Sequence, residues 1–146
     1  MTVLRIREIP SDAQPAAMSE IEVELLRSLA QTNAQTANTQ IVLTAEDPAG
    51  GGMAGGVVAS TSYGWLLVKI LWVRDDLRGC GAGRRLMDAV EDRGGQAGCH
   101  GAWLDTSSAA AREFYERLGY TEFGKLENAP GDSVPEHRRW FLQKRL

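Results

Sequence analysis

Between Arg78 and Arg84 the chain reads Arg-Gly-Cys-Gly-Ala-Gly-Arg, and a further arginine follows at position 85. Gly79, Gly81 and Gly83 stand at alternate positions, where they let the backbone bend sharply and approach a ligand with no Cβ in the way. Leu86, Met87, Ala89 and Val90 then recur at helical spacing, so a helix begins as the bend ends. The first N–H groups of such a helix have no partner within it and point back at the bend. Together with the guanidinium groups of Arg78, Arg84 and Arg85 they form a site suited to an anion, phosphate above all.

Two common phosphate motifs fail on the residues. A Walker loop requires GxxxxGK[ST], whereas Gly83 is followed by Arg84-Arg85, which supply neither the lysine nor a hydroxyl for magnesium. A dinucleotide fingerprint requires GxGxxG, but Arg84 stands where Gly79-x-Gly81 would need its third glycine, and Leu86 where Gly81-x-Gly83 would. That fingerprint also opens a domain of several βα units, and only about 63 residues follow Gly83.

The bend must be held by the elements on either side. Before it, Trp65-Leu66-Leu67-Val68 and Ile70-Leu71-Trp72-Val73 form an apolar run broken only by Lys69, which predicts a strand covered on both faces. Arg74-Asp75-Asp76 ends that strand with solvated charge. After the bend, Leu86 and Val90 share a helix face, Asp88, Glu91 and Asp92 are free to point to water, and Gly94-Gly95 predicts the stop.

A chain of 146 residues suits one domain, 1–146, large enough to bury a core. Its composition, 43% hydrophobic and 24% charged, is that of a globular protein. A net charge of −3 provides no basic field for nucleic acid or an anionic membrane. No stretch reaches the length of a membrane span and no signal-peptide pattern is present, so the expected compartment is the cytoplasm. Cys80 and Cys99 make no metal or disulfide framework, and neither His100 nor His137 has a partner at ligand spacing; no metal is expected. Cys80 fits the tight turn as a small side chain.

In chain order, the alternation from Val3 to Ile9 predicts a half-buried or edge strand. Ser11 or Asp12 is placed to cap a helix whose stripe of Met18, Ile21, Leu25, Leu26 and Leu29 is expected in the core. The polar stretch from Gln31 to Gln40 fits a frayed second helix or a loop. Ile41–Ala45 and Gly55–Thr61 predict two strands around a hairpin-type loop, Glu46–Gly52, and Tyr63-Gly64 a tight turn into the central strand. Ala102–Thr106 predicts a strand, Ala109–Leu118 a helix capped by Ser107 or Ser108 and ended by Gly119, and Tyr120–Phe123 another strand. Beyond a loop rich in Pro, Gly and Asp, Arg138–Gln143 closes the sheet; Arg138, Arg139, Lys144 and Arg145 read as the wet face of a terminal strand. This order predicts an α+β fold: a mixed, mostly antiparallel central sheet of about six or seven strands flanked by helices.

Arg78-x-x-Gly81-x-Gly83 resembles the R/Q-x-x-G-x-G/A signature of the GNAT superfamily of N-acetyltransferases, and Phe114-Tyr115-Glu116-Arg117-Leu118-Gly119-Tyr120 resembles its FYxxLGF/Y segment. From Trp65 to the C-terminus the chain is similar to small, single-domain bacterial members. The resemblance implies the acyl-CoA N-acyltransferase fold, in which the strands here at Val68–Val73 and Ala102–Thr106 splay apart and acetyl-CoA enters the gap. It implies that the backbone of Leu71, Trp72 and Val73 runs along the pantetheine arm and thioester, with an N–H near Leu71 polarising the thioester carbonyl. It implies that the N–H groups of Arg78, Gly79, Cys80, Gly81, Ala82, Gly83 and Arg84 hold the pyrophosphate. It also implies that Tyr115 protonates the departing sulfur; a phenol with pKa near about 10 carries its proton at neutral pH.

The attacking amine must be neutral, and many members use a glutamate of the central strand as base. Here Lys69 stands where relatives often carry Asp or Glu, and Ala109-Ala110-Ala111 where they often place Gln or Asn against the cofactor. Asp105 could act through water, or serve only the strand end. Tyr63, Trp65 and Trp72 could line a cleft for the acceptor, and the acidic balance mildly favours a basic one: a polyamine, an aminoglycoside or a lysine side chain. The expected activity is transfer of an acetyl group from acetyl-CoA to a primary amine of a small molecule, by direct attack in a ternary complex. A non-catalytic acyl-CoA-binding module of the same fold is the alternative, and a nucleotide-binding regulator a third reading. Homodimers are common in the superfamily, and no residue pattern here decides for or against one.

Overall fold

In the computed structural model, which describes residues 4–32 and 38–146, the chain divides into two compact units, residues 1–35 and 36–146. The first is built on one helix, α1 (Gln14–Ala30). Its N-cap is Ala13, with no side-chain cap; Pro15 lies in its first turn and the Gln14 side-chain amide donates to the Ile9 carbonyl at 3.1 Å. Neither Ser11 nor Asp12 is the cap. The strand expected over residues 3–9 is not formed from Leu4 onward, and Leu4 and Ile6 are exposed. The α1 stripe is not core either: no residue of the helix is buried, since a single helix has no second layer of its own. Residues 33–37, the middle of the polar stretch, lie outside the described residues.

The second unit is a six-stranded sheet. Its elements are β1 (Gln40–Glu46), β2 (Met53–Ser62), β3 (Trp65–Val73), α2 (Ala82–Gln96), β4 (Gly101–Thr106), α3 (Ala109–Arg117), β5 (Thr121–Glu127) and β6 (Arg138–Arg145). The strand order is β1-β2-β3-β4-β6-β5, antiparallel except where β3 meets β4. The α+β class and mostly antiparallel sheet expected from the sequence are therefore present, with six strands. The last strand does not close the sheet but slots between β4 and β5.

The expected turn at Tyr63-Gly64 is tight, with φ of 51° and 78°, the paired positive values of a two-residue hairpin. Beyond it, β3 carries a bulge. Ala59 pairs with Val68 and Val58 with Ile70, which leaves Lys69 as the extra residue. Strand alternation has period two, so one inserted residue changes parity. Leu66 and Val68 before the bulge, and Leu71 and Val73 after it, therefore all face the core. Trp72 and Ile70 lie on the opposite face and are 44% and 57% exposed, so β3 is not covered on both faces as the apolar run suggested.

Helix α2 lays Leu86, Met87 and Val90 on this core face, and α3 adds Phe114 and Tyr115. Each fully buried side chain of the Leu or Met kind contributes about 1.5–3 kcal/mol. The α2 helix does not stop at Gly94-Gly95. Gly94 lies against Leu66, where a Cβ would come within 3.0 Å of that side chain, so its small size serves helix–sheet contact. The stop is at Gly98 (φ 91°): the Gly98 N–H bonds the Gly95 carbonyl and the Cys99 N–H bonds that of Gly94, a Schellman ending.

The same inner face of α2 corrects two charge readings. Glu91 does not point to water: it is 9% exposed and accepts from the Tyr120 hydroxyl at 2.9 Å. Lys144 is not part of a wet face, because its ammonium donates to both Glu91 oxygens at 3.0 and 3.1 Å. Being internal to the sheet, β6 turns Lys144 toward α2.

Candidate active site

Strand β3 pairs with β4 only through Trp65–Gly101, Leu66–Ala102 and Leu67–Trp103. Beyond that point β4 stays paired with β6 as far as Thr106, while the β3 stretch from Val68 to Val73 has no ladder to β4. The two central strands thus part, as the resemblance implied, and the backbone groups facing the gap are left for another partner.

A hollow of about 550 Å³ opens at this parting. Leu71, Trp72 and Val73 form one side, and Leu77, Arg78, Gly79, Gly81, Gly83 and Arg84 the end. The opposite wall comes from Ser108, Ala110, Ala111, Phe114 and Arg117. Eight of the ten predicted cofactor-contacting residues are therefore brought together. The other two, Cys80 and Ala82, share the bend but not the lining: the Cys80 thiol donates to the Leu77 carbonyl, and the Ala82 side chain lies in a separate hollow with Arg85 and Leu86.

The bend is shaped for its position. Gly79 and Gly81 take φ of 78° and 85° with open space around them, so conformation alone requires glycine there. Gly83 is required for proximity, since a Cβ would meet the Phe114 ring at 3.3 Å. The first bond of α2 runs from the Arg85 N–H to the Gly81 carbonyl, so the N–H groups of Ala82, Gly83 and Arg84 precede the helical ladder and face the bend. The helix N-terminus and the arginines give this end of the hollow a positive field.

Arg74 anchors the region from behind. It pairs with Asp47 at 2.7 Å and Asp76 at 2.6 Å, and donates to the Gly51 carbonyl at 3.1 Å. Its hydrogen bonds hold both carboxyl groups below their usual range and push its own guanidinium further up. Arg78 bonds the Val73 carbonyl at 3.2 Å and pairs with Asp75 at 2.8 Å, yet its side chain stays 63% exposed.

Tyr115, the predicted acid, is not among the residues that line the hollow. It is 8% exposed, edge-on to Phe114 at 5.2 Å and to Tyr120 at 5.9 Å. Burial pushes its phenol above the ordinary value. Tyr120 is pushed up further, by burial first and then by the Glu91 carboxylate it donates to. Of the predicted acceptor-cleft aromatics only Trp72 borders this hollow; Trp65 lies in another, of about 320 Å³, with Trp103, Phe123 and Gln143, and Tyr63 is in the β2–β3 turn. Asp105, the predicted water-mediated base, faces Arg139 at 3.5 Å. Ser108 and Arg117 are lining residues that sequence reasoning does not single out. A helical signal exists for Arg117: Ala110, Phe114 and Arg117 stand four and three residues apart on one face of α3. The sequence marks Ser108 only as the cap it also is, accepting from the Ala111 N–H at 3.2 Å.

The chain is similar to known acetyltransferases in sequence and in fold. Blasticidin-S acetyltransferase of Streptomyces morookaense is 37% identical over 81 residues, 55% of this chain and 60% of that protein. An acetyltransferase of Agrobacterium fabrum is 39% identical over 74 residues, 51% of this chain and 54% of that one. The matches thus span between half and three-fifths of these relatives' length. A crystal structure from Agrobacterium tumefaciens matches with a TM-score of 0.78 at 27% identity, over 100% of both chains. Residues 37–122, more than half of this chain and including the parted strands, the glycine bend and α3, match the family described as the acetyltransferase (GNAT) domain, and the chain belongs to that family.

Proposed function

We propose that the chain works as a single N-acetyltransferase domain, moving an acetyl group from acetyl-CoA to a primary amine of a small molecule within a ternary complex. The observation that carries this reading is the hollow at the parting of β3 and β4, with unpaired backbone on one side and the α2 N-terminus at its end. In this reading the Leu71–Val73 backbone runs along the pantetheine arm. The bend from Arg78 to Arg84 takes the pyrophosphate, and Arg117 adds positive charge on the far wall.

The amine nitrogen attacks the thioester carbonyl, a C–N bond forms, and an N–H near Leu71 stabilises the developing oxyanion. The C–S bond then breaks and Tyr115 gives its proton to the thiolate. An ordinary phenol already carries its proton throughout the neutral range, and burial shifts Tyr115 further in that direction. The small-molecule acceptor is supported by the blasticidin-S acetyltransferase relative.

One observation favours the second reading, a non-catalytic acyl-CoA binder. The bulge of β3 presents Lys69 rather than a carboxylate, and Ala110 and Ala111 face the hollow with no polar group. Turnover separates the two. With acetyl-CoA and a panel of blasticidin S, spermidine, an aminoglycoside and a lysyl peptide, the enzyme reading expects free CoA to appear with at least one amine. Tyr115→Phe should lower kcat by tenfold or more and leave acetyl-CoA affinity unchanged. Binding of acetyl-CoA with no CoA release across the panel would favour the binder.

A further inference from the structure

We propose that His137, acting through Ser107, is the general base that neutralises the acceptor ammonium; this rests on the acetyl transfer proposed above. The Ser107 hydroxyl lies 3.4 Å from His137 Nε2, although the two residues are 30 apart in sequence. Ser107 immediately follows the last residue of β4 and immediately precedes Ser108, which lines the hollow together with Trp72. The pair therefore stands at the C-terminal end of β4, next in sequence to the wall of the hollow. Ser107 is exposed and His137 half-buried, so a proton can pass from one to the other and on to solvent.

The loop between β5 and β6 is built to hold His137 there. The Asn128 N–H bonds the His137 carbonyl at 2.9 Å, closing the loop at its base. The Asn128 side-chain amide donates to the carbonyls of Ser133 at 3.1 Å and Val134 at 3.0 Å. On the way to His137 the backbone takes positive φ at Val134 (54°) and Glu136 (66°), unfavourable for both and most of all for a β-branched residue. Such conformations persist where the surroundings over-determine them, and they concentrate at functional sites.

With its proton on Nδ1, the imidazole leaves Nε2 free to accept from the Ser107 hydroxyl. The Ser107 oxygen in turn accepts an N–H of the acceptor ammonium. As the hydroxyl proton moves to Nε2, the ammonium proton replaces it on Ser107, leaving a neutral amine and an imidazolium. The amine forms the C–N bond, the C–S bond breaks, and Tyr115 protonates the thiolate. The phenolate then recovers a proton from the new amide nitrogen, and the imidazolium gives its proton to water. In sum, an ammonium and a thioester become an amide, a thiol and one released proton. No carboxylate of β3 competes for the role of base.

The charged groups on the surrounding elements are largely paired with one another. Asp105 of β4 faces Arg139 of β6, and Glu127 of β5 is held by Lys125 and Arg138. Arg112 of α3 pairs with Glu116 and Glu122. On its own loop His137 is flanked by Glu136 and Arg138.

The test measures kcat/KM against pH for the parent, His137→Ala, His137→Gln and Ser107→Ala, with the four amines named above. In parallel, acetyl-CoA affinity is measured by calorimetry. The parent should show an acid limb. His137→Ala and His137→Gln should both lose about 10²-fold or more near pH 7, the usual yield of general base catalysis. Their rates should keep climbing with pH as the free amine appears in solution, and their acetyl-CoA affinity should match the parent's. Ser107→Ala should lose less and keep the acid limb, because water can take the place of the hydroxyl. Full activity in His137→Gln, which keeps a hydrogen bond to Ser107 but cannot take a proton, overturns the proposal. So does a parent-like pH profile in His137→Ala. Parent protein that binds acetyl-CoA but turns over none of the amines overturns the transfer reading, and this one with it.

Discussion

Glu91 offers the sharpest test of how the fold is held around the site. Its carboxylate accepts from the Tyr120 hydroxyl and, through both oxygens, from the Lys144 ammonium, joining α2 to β6 and to the segment that follows α3. Replacing it with alanine leaves the hydroxyl of Tyr120, which is 2% exposed, with no acceptor; an orphaned buried group of this kind costs about 1–3 kcal/mol. The ion pair adds less than the roughly 3–5 kcal/mol of a fully buried one, because the Lys144 side chain is 26% exposed and can turn to water. Together these give a loss of about 2–4 kcal/mol, or a fall in Tm of roughly 4–16 °C for a chain of this size. Glu91→Gln keeps an acceptor for Tyr120 and should lose about half as much. The assay is urea unfolding followed by circular dichroism, run as a double-mutant cycle with Tyr120→Phe. Since removing the hydroxyl removes the orphan, the double variant should be more stable than the sum of the single losses predicts. A Glu91→Ala variant within about 0.5 kcal/mol of the parent, or a strictly additive cycle, would refute the reasoning.

Arg78→Ala and Arg84→Ala should each weaken acetyl-CoA binding about tenfold, as expected for losing one charge-assisted phosphate contact, and added salt should narrow the difference from the parent in calorimetry. The neighbouring glycines of α2 should part company. At Gly95 an added methyl would meet nothing within 4 Å, so Gly95→Ala should raise stability by about 0.5–1 kcal/mol, whereas Gly94→Ala should gain nothing or lose because Leu66 is 3.0 Å away; thermal unfolding decides. Burial raises the phenols of Tyr115 and Tyr120, so the folded state keeps those protons longer than the unfolded chain does. Their contribution is whole below the ordinary phenol value of about 10 and is lost as pH rises above it. Urea midpoints of the parent should therefore fall above about pH 10, and those of a Tyr115→Phe/Tyr120→Phe double variant should fall less.

The parts of this fold legible in the sequence are those with dense local signals. The glycine bend, the apolar run of β3 and the Ser108-capped helix carry their conformational reasons within a few residues, and the hollow's end and one wall follow from them. What the sequence hides depends on pairing partners. A bulge at Lys69 is a relation between two strands, and no composition marks it. Glu91 looks like the wet side of a helix until β6, arriving 53 residues later, brings Lys144 against it. Gly94 looks like a stop because its role is to let Leu66 approach. The Ser107–His137 contact is likewise tertiary: His137 has no chemical partner nearby in sequence and gains one only because β6 lies beside β4. The slot taken by β6 follows from no local pattern.

The central claim is that the parted strands and the glycine bend form an acetyl-CoA site. Thermal unfolding with acetyl-CoA, and separately with CoA, ATP and NAD, tests it most directly. A ligand at about a hundred times its dissociation constant adds roughly 2.7 kcal/mol and should raise Tm by several degrees. The expected result is that rise with acetyl-CoA and CoA, and little or none with ATP or NAD. An unchanged Tm at saturating acetyl-CoA, or an equal rise with NAD, would contradict it.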